Sequence, residues 1–201
     1  MPEWFRMGGI AMYPLLACSI TGLAIILERI LALQRKRILS PVLAETIQKE
    51  SATPEQRDKL RVLSEKDKSV LGELVQVVFA HASLAKQESV EAVQAVARQV
   101  VGRMERGLTT LSLIAEVSPL LGLLGTCNGM VHLFMDVAQH GLGEPAQISR
   151  GIFEALIATV TGLAVAIPAL TAYMYLRRRI ELLILEMERH TNELLTRLYR
   201  S

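Results

Sequence analysis

The sequence predicts an all-α membrane protein with three transmembrane helices, two of which continue as long cytoplasmic helices. Three apolar runs each approach or exceed the roughly 20 residues that a helix needs to cross a bilayer. Between and after these runs, apolar residues recur at helical spacing, and no alternation of β-branched residues indicates a strand. The composition agrees, because 51% hydrophobic residues are too many for an ordinary soluble domain and 21% charged residues are too many for a chain wholly embedded in lipid.

The first predicted span is the uncharged run Gly8–Leu27, within an N-terminal segment 1–34 whose start faces outward. Two processing alternatives exist here, a signal peptide over 6–17 and a lipoprotein cleavage site ending at Cys18. The apolar run continues well past Cys18 and the preceding basic region is weak, which speaks against both. We therefore expect Cys18 to be a small packing residue.

The region 35–107 is predicted to be cytoplasmic and helical. Ser40-Pro41 and Thr53-Pro54 each combine a capping residue with a proline, a pattern typical of helix starts. A further amphipathic helix is predicted to begin with Ser89 as its N-cap and to run without a break to Met135, with Pro119 as its point of bending.

The remaining segments follow from apolar runs and loop residues. A second span is predicted over 108–135, an outer loop over 136–150 and a third span over 151–176. The segment 177–201 keeps helical apolar spacing among charged residues, so the third helix is expected to continue into water as an amphipathic cytoplasmic helix.

The basic residues predict the orientation. Of the 22 Lys and Arg residues, 14 lie in 28–107 and 6 in 177–201, and the other two are Arg6 and Arg150. Because basic residues favour the cytoplasmic side of a membrane, both rich regions are expected there. The N-terminus and the 136–150 loop then face outward, and the C-terminus is cytoplasmic.

The sequence contains no motif that indicates an enzymatic reaction. The sequence contains no hydrolytic triad, phosphate-binding loop or zinc-ligand spacing, and the two cysteines lie in separate apolar runs. The net charge of +2 gives no reason to expect nucleic acid as a partner. We expect no enzyme activity, no metal and no cofactor.

Polar residues within the predicted spans are the candidate functional residues, because ionisable groups at membrane depth usually face a bundle interior, a cavity or an ion path. They are Glu116, Thr126, His132, Glu154, Thr159 and Thr161. Each threonine has the alternative of bonding back to its own helix, and the two glutamates and the histidine have the alternative of interfacial placement.

Residue counting places Thr126 and Thr159 near the same mid-membrane depth. Glu154 lies about 7 Å outward of Thr159, and Glu116 about 15 Å inward of Thr126, at 1.5 Å per residue. Acidic groups at both mouths with hydroxyls between them suit a guided proton or cation. Neither carboxylate lies at the midplane, so the titrating group of a proton motor is predicted to come from a partner.

Small residues accompany these hydroxyls and predict close helix packing within the membrane. They are Gly122, Gly125, Gly129 and Gly162, with Pro119 and Pro168 as the prolines of the second and third spans.

Two long motifs resemble a known family. Pro119-Leu-Leu-Gly-Leu-Leu-Gly-Thr126 with Gly129-Met130 resembles the second-span signature of the MotA/TolQ/ExbB proton-channel proteins. Gly151-Ile-Phe-Glu-Ala-Leu-Ile-Ala-Thr159, with Gly162-Leu163 and Ala166-Ile-Pro-Ala, resembles the third-span signature. Three spans with a cytoplasmic insert between the first two favour the ExbB/TolQ branch.

The resemblance implies a homopentameric ring around a single-span ExbD/TolR-like partner whose membrane aspartate carries the proton. It implies that Thr126 and Thr159 line the lumen, with Glu154 as the third-span glutamate. It also implies a TonB- or TolA-like protein as a further partner and work on the cell envelope. Cys127-Asn128 replaces the Val-Trp that is frequent after the threonine in ExbB, so the envelope task stays open. A passive scaffold and a stand-alone cation channel are the alternative functions.

Overall fold

A computed structural model describes residues 9–50, 54–141 and 145–199, and the regular elements in these ranges are α-helices. This all-helical architecture confirms the predicted class. In chain order the helices are α1 (Met12–Ala32), α2 (Arg35–Ile38), α3 (Pro41–Glu50), α4 (Pro54–Lys66), α5 (Val70–Ala80), α6 (Lys86–Glu105), α7 (Leu108–His140) and α8 (Pro145–Leu198).

Three stretches are long and apolar enough to cross a membrane, which confirms the predicted number of spans. They are Met12–Ala32, Lys86–Gln139 and Ile148–Leu198. The third belongs to a single helix of 54 residues, α8, in which the apolar span and the amphipathic segment after it are continuous.

The chain divides into two compact units. The membrane unit combines the chain up to Glu28 with Gly107–Tyr175, and the second unit combines Arg29–Arg106 with the chain from Leu176 onward. Each unit is held together by its own contacts.

The structure corrects the prediction of one unbroken helix from Ser89 to Met135. The helix stops after Glu105 and restarts at Leu108, and Gly107 takes a left-handed conformation with φ of 82°. Arg29 makes this ending possible, because its guanidinium donates to the carbonyls of Arg103 and Met104 at 3.1 and 3.5 Å and so satisfies acceptors that the missing next turn leaves open.

The start of α6 also differs from the prediction. The helix begins at Lys86, with Ala85 in the N-cap position, so Ser89 lies within its first turn. The Ser89 hydroxyl is buried and donates to the carbonyl of His81 at 2.9 Å. It therefore satisfies the C-terminal end of α5 and not the N-terminal end of its own helix.

Helix starts marked by proline are found where they were predicted, since α3 begins at Pro41 and α4 at Pro54. The segment between α7 and α8 is shorter in the structure than the predicted outer loop 136–150. α7 continues to His140, where Gly141 ends it with a φ of 80°, and α8 already begins at Pro145. Residues 136–140 contain no Gly or Pro, so no local signal ends the helix before Gly141.

Arginines close the C-terminal ends of helices in the second unit. Besides Arg29, which closes the end of α6, Arg179 donates to the carbonyl of Leu33 just after α1 at 3.0 Å. Arg197 donates to two carbonyls of α3, those of Ile47 and Gln48, both at 3.0 Å. Arg57 in turn donates to the Arg197 carbonyl at 3.4 Å. A cation at a helix C-terminus satisfies open carbonyls and complements the helix dipole, so these contacts tie the unit together across long sequence distances.

A polar turn joins α4 to α5 in the same unit. The Ser69 backbone N–H donates to the Asp67 carboxylate at 2.7 Å, and the Ser69 hydroxyl accepts from the Gly72 N–H at 3.1 Å as the N-cap of α5. Burial raises the pKa of Asp67, but hydrogen bonds from Ser40 and Ser69 favour the charged form and bring its pKa below the ordinary value of 3.8.

Candidate functional site

The site lies where α7 and α8 cross in the membrane unit, and small residues create it. A Cβ on Gly162 would lie 2.5 Å from the Ser118 carbonyl oxygen, and one on Gly122 would lie 2.8 Å from that of Ala158. Both distances are shorter than real Cβ contacts allow, so only glycine lets the two backbones meet here. This contact brings the threonines of the two helices within reach of each other.

The small-residue contact continues toward the predicted outer end. A Cβ on Gly125 would meet Ala158 Cβ at 2.6 Å, and one on Gly129 would meet Ala155 Cβ at 3.1 Å. The predicted packing glycines therefore all lie at close approaches of α7 and α8 in this structure. Their roles in an assembled ring stay predictions.

The hydroxyls of Thr126 and Thr159 hydrogen-bond to each other across this crossing. Thr126 also lies 3.0 Å from the Ala155 carbonyl oxygen, and each hydroxyl lies 3.2 Å from the Gly122 carbonyl oxygen. The pair therefore joins the two helices through polar contacts within an apolar segment. Residue counting placed these side chains at one depth, and the structure brings them into contact.

The geometry limits what this pair does chemically. Each threonine hydroxyl has one proton to donate, while the two carbonyls and the partner hydroxyl offer three acceptors. The two protons can therefore be redistributed among acceptors without breaking the cluster. A threonine hydroxyl does not ionise at ordinary pH, so the pair can orient and relay hydrogen bonds but cannot itself carry a charge.

The other predicted residues do not join this cluster by any contact seen in the described part of the chain. Glu116 is exposed on α7 and accepts from Ser112 one turn away at 3.1 Å. Thr161 donates to the Ile157 carbonyl of its own helix at 2.8 Å, the bond expected of a threonine with a purely local role. The side chain of Glu154 lies outside the described residues, and its role at the outer mouth stays a prediction.

The prolines of the two spans lie inside helices that continue past them, Pro119 in α7 and Pro168 in α8. Ser118, the residue before Pro119, is fully buried, and its hydroxyl has no hydrogen-bond partner among the described residues. The sequence did not predict that the Ser118 carbonyl lies at the closest of the backbone contacts between the two helices.

A family comparison matches this region and most of the second unit. The model of the MotA/TolQ/ExbB proton channel family matches residues 34–189, which include both threonines and the glycines at the crossing. The chain belongs to the MotA/TolQ/ExbB proton channel family. This family is described by a channel and not by an enzymatic reaction, and its membership together with the three apolar stretches makes the chain a multi-pass membrane protein.

Individual members of the MotA/TolQ/ExbB family support the ExbB/TolQ-like branch. An ExbB homolog of Methanothermobacter thermautotrophicus is 32% identical over 183 residues, which cover 89% of this chain and 63% of that protein. The biopolymer transport protein ExbB of Neisseria gonorrhoeae is 37% identical over 100 residues, which cover 50% of this chain and 46% of that protein.

The TolQ protein of the Tol-Pal system of Haemophilus influenzae is similar over a longer range. It is 32% identical over 202 residues, which cover 92% of this chain and 86% of that protein. The chain thus spans between about half and most of the length of these MotA/TolQ/ExbB relatives.

Proposed function

We propose that this chain is the ring-forming subunit of a motor in the bacterial inner membrane that is driven by the proton-motive force. With a single-span ExbD/TolR-like partner, it conducts protons and transmits energy to the cell envelope. The ring is a homo-oligomer, with five copies implied by the family resemblance. Its N-terminus is periplasmic and its C-terminus cytoplasmic.

The observation that carries the proposal is the Thr126–Thr159 hydroxyl pair. It places hydrogen-bonding groups of two spans together within an apolar crossing, in a chain of a proton-channel family. Polar side chains inside a span are costly unless they face a bundle interior or an ion path. Because hydroxyls do not carry the charge, a partner with an aspartate in its span completes the path, surrounded by the ring.

The relatives leave the envelope task open between two alternatives. Relatives of this chain include ExbB biopolymer transport proteins and a TolQ protein of the Tol-Pal system. The proposal therefore includes TonB-dependent transport or a Tol-type function, with a TonB- or TolA-like protein as the further partner.

Replacing Thr126 or Thr159 with valine tests the role of the pair, since valine keeps the shape and removes the hydroxyl. We expect partner-dependent proton flux to fall by about five- to tenfold in each variant, the effect of about 1 kcal/mol lost with one hydrogen bond. Thr161→Val is the matched control, because that hydroxyl bonds only within its own helix in the described contacts, and its flux is expected to stay within about twofold of wild type.

The same experiment separates the alternatives. A passive scaffold predicts that both valine variants keep full partner-dependent activity while assembly is intact. A stand-alone cation channel predicts flux from this chain without its partner. Size-exclusion chromatography of each variant shows whether assembly is intact, so a folding defect is not mistaken for a loss of conduction.

A further inference from the structure

A cavity of about 870 Å³ opens in the membrane unit toward its predicted outer end. The residues before and at the start of α1, the second half of α7 and the start of α8 form its walls. Its polar lining consists of Asn128, His132 and Asp136 from α7 and Arg150 from α8. Apolar residues, among them Leu121 and Leu124, complete the wall nearer the middle of the span.

The three polar residues of α7 follow one another at intervals of four, so they form one face of the helix, and this face lines the cavity. Asn128 lies only two residues from Thr126 and therefore well inside the predicted span. A face with an amide, an imidazole and a carboxylate is costly against hydrocarbon and favourable against water. These lining residues are therefore typical of a space filled with water.

The inner end of the cavity lies beside the hydroxyl pair. Gly125 and Ala155 are among its lining residues, and the Ala155 carbonyl oxygen lies 3.0 Å from the Thr126 hydroxyl. One backbone group thus belongs to a residue of the cavity wall and to the hydrogen-bond cluster of Thr126 and Thr159. The cavity wall and the hydroxyl cluster are thus adjacent and share Ala155.

We propose that this cavity is a water-filled outer vestibule by which the proton reaches the Thr126–Thr159 pair, with Asn128 and His132 as groups that hold its water. The route rests on the proposed function, whereas the hydration does not depend on it. The vestibule lies within one subunit and is lined by three of its helices.

Two neighbouring leucines give a matched test of hydration. Leu124 and Leu123 are 62% and 55% exposed on the isolated chain, and only Leu124 lines the cavity. Each is changed to cysteine in a full-length background that carries Cys18→Ser and Cys127→Ser. Right-side-out membrane vesicles are then treated from outside with a positively charged, membrane-impermeant methanethiosulfonate. This reagent reacts with thiolates that are in contact with water.

We expect Leu124→Cys to be modified at least tenfold faster than Leu123→Cys. Equal rates, a faster reaction of Leu123→Cys, or no modification of either would overturn the vestibule. Because modification is read by mass, this result does not depend on whether the protein conducts protons.

The route is tested in the same vesicles with the partner present. Modification of Leu124→Cys introduces a fixed positive charge into the cavity and is expected to lower partner-dependent proton flux at least fivefold, while reagent added to the background without the new cysteine has no effect. Complete modification with unchanged flux overturns the vestibule as the route. Failure of the proposed function gives a different result, namely unchanged flux in Thr126→Val, so the two failures are distinguishable.

Discussion

At the scale of single residues, the contact between Gly162 and Ser118 restricts the choice of side chain in the membrane unit most strongly. No atom larger than hydrogen fits on Gly162, because the obstacle is the backbone carbonyl of Ser118 and not a flexible side chain. Ser118 and Gly162 therefore determine how closely the two helices approach and, through that distance, whether the threonines touch.

Gly162→Ala is expected to destabilise the protein by about 1–3 kcal/mol, the usual cost of overpacking, because α7 and α8 have to separate. Thermal unfolding of the full-length protein in detergent measures this change. The control is Gly102→Ala on α6, where an added Cβ meets nothing within 4 Å and alanine is expected to add about 0.5–1 kcal/mol. Equal stability of the two variants would contradict the close contact.

Asp67 gives a pH-dependent prediction. Its folded-state pKa is below the ordinary 3.8, so its contribution to stability is present above that value and is lost as the pH falls through the folded-state pKa. We expect Asp67→Asn to lower the free energy of unfolding at pH 7 by about 1 kcal/mol, the usual net value of a side-chain hydrogen bond.

The difference between wild type and Asp67→Asn is expected to shrink as the pH falls below 3.8. Unfolding measured in detergent across this range checks it. Asp58→Asn, at an exposed position on α4, is the control and is expected to have little effect at any pH. A pH-independent difference for Asp67→Asn would contradict the role of its charge.

At the scale of elements, the end of α6 depends on a hydrogen-bond donor that lies on another helix. Arg29 of α1 is 6% exposed, and its guanidinium donates to the last carbonyls of α6. Its removal leaves buried acceptors without a donor, and a lost hydrogen bond to a charged group costs more than a neutral one.

Arg29→Met is expected to lower the free energy of unfolding by about 2–3 kcal/mol, with methionine filling much of the space of the arginine stem. Chemical or thermal unfolding of the full chain measures the loss. Arg37→Met, at an exposed position on α2, is expected to change stability by less than about 0.5 kcal/mol. The role of Arg29 is refuted if both substitutions have the same small effect.

The break between α6 and α7 is a helix boundary that the sequence did not predict. Apolar positions Met104, Leu108 and Leu111 keep helical spacing across Gly107, and an isolated glycine is tolerated in a helix, so the pattern predicted continuity. The break depends on a guanidinium 74 positions earlier in the chain, which no local pattern reveals. The helix starts at Pro41 and Pro54 were predictable because their signals are local.

At the scale of the whole molecule, the all-helical class and the three apolar stretches were predictable, since bilayer thickness fixes the length of a span independently of tertiary context. The contact between Thr126 and Thr159 was half predictable, because residue counting gave the depth and only the structure gave the direction. The cavity beside them was not, because a cavity depends on the shapes of three packed helices. Leu124 lies four residues before Asn128 and so continues the same face of α7, unlike Leu123, but the periodicity does not show that this face lines a cavity.

The whole molecule also predicts a dependence on its partner. Among the described residues, the crossing of α7 and α8 contributes hydroxyls and carbonyls and no carboxylate. We therefore expect liposomes that contain this chain alone to show proton flux at the level of empty liposomes, and co-reconstitution with a single-span, aspartate-bearing partner to raise the flux at least tenfold. A pH-sensitive dye inside the liposomes measures it. Comparable flux without the partner would favour the stand-alone channel.

The arginine contacts of the second unit have a consequence for a member of a proton channel family. Guanidinium groups stay charged and backbone carbonyls do not take up protons at any physiological pH. The carbonyl contacts of Arg29, Arg179 and Arg197 therefore do not depend on a group that acidification neutralises, whereas the pairing of Arg197 with the Glu193 carboxylate does. These contacts across long sequence distances are therefore insensitive to the ion that the family transports, and acidification acts on this unit through its carboxylates, such as Asp67.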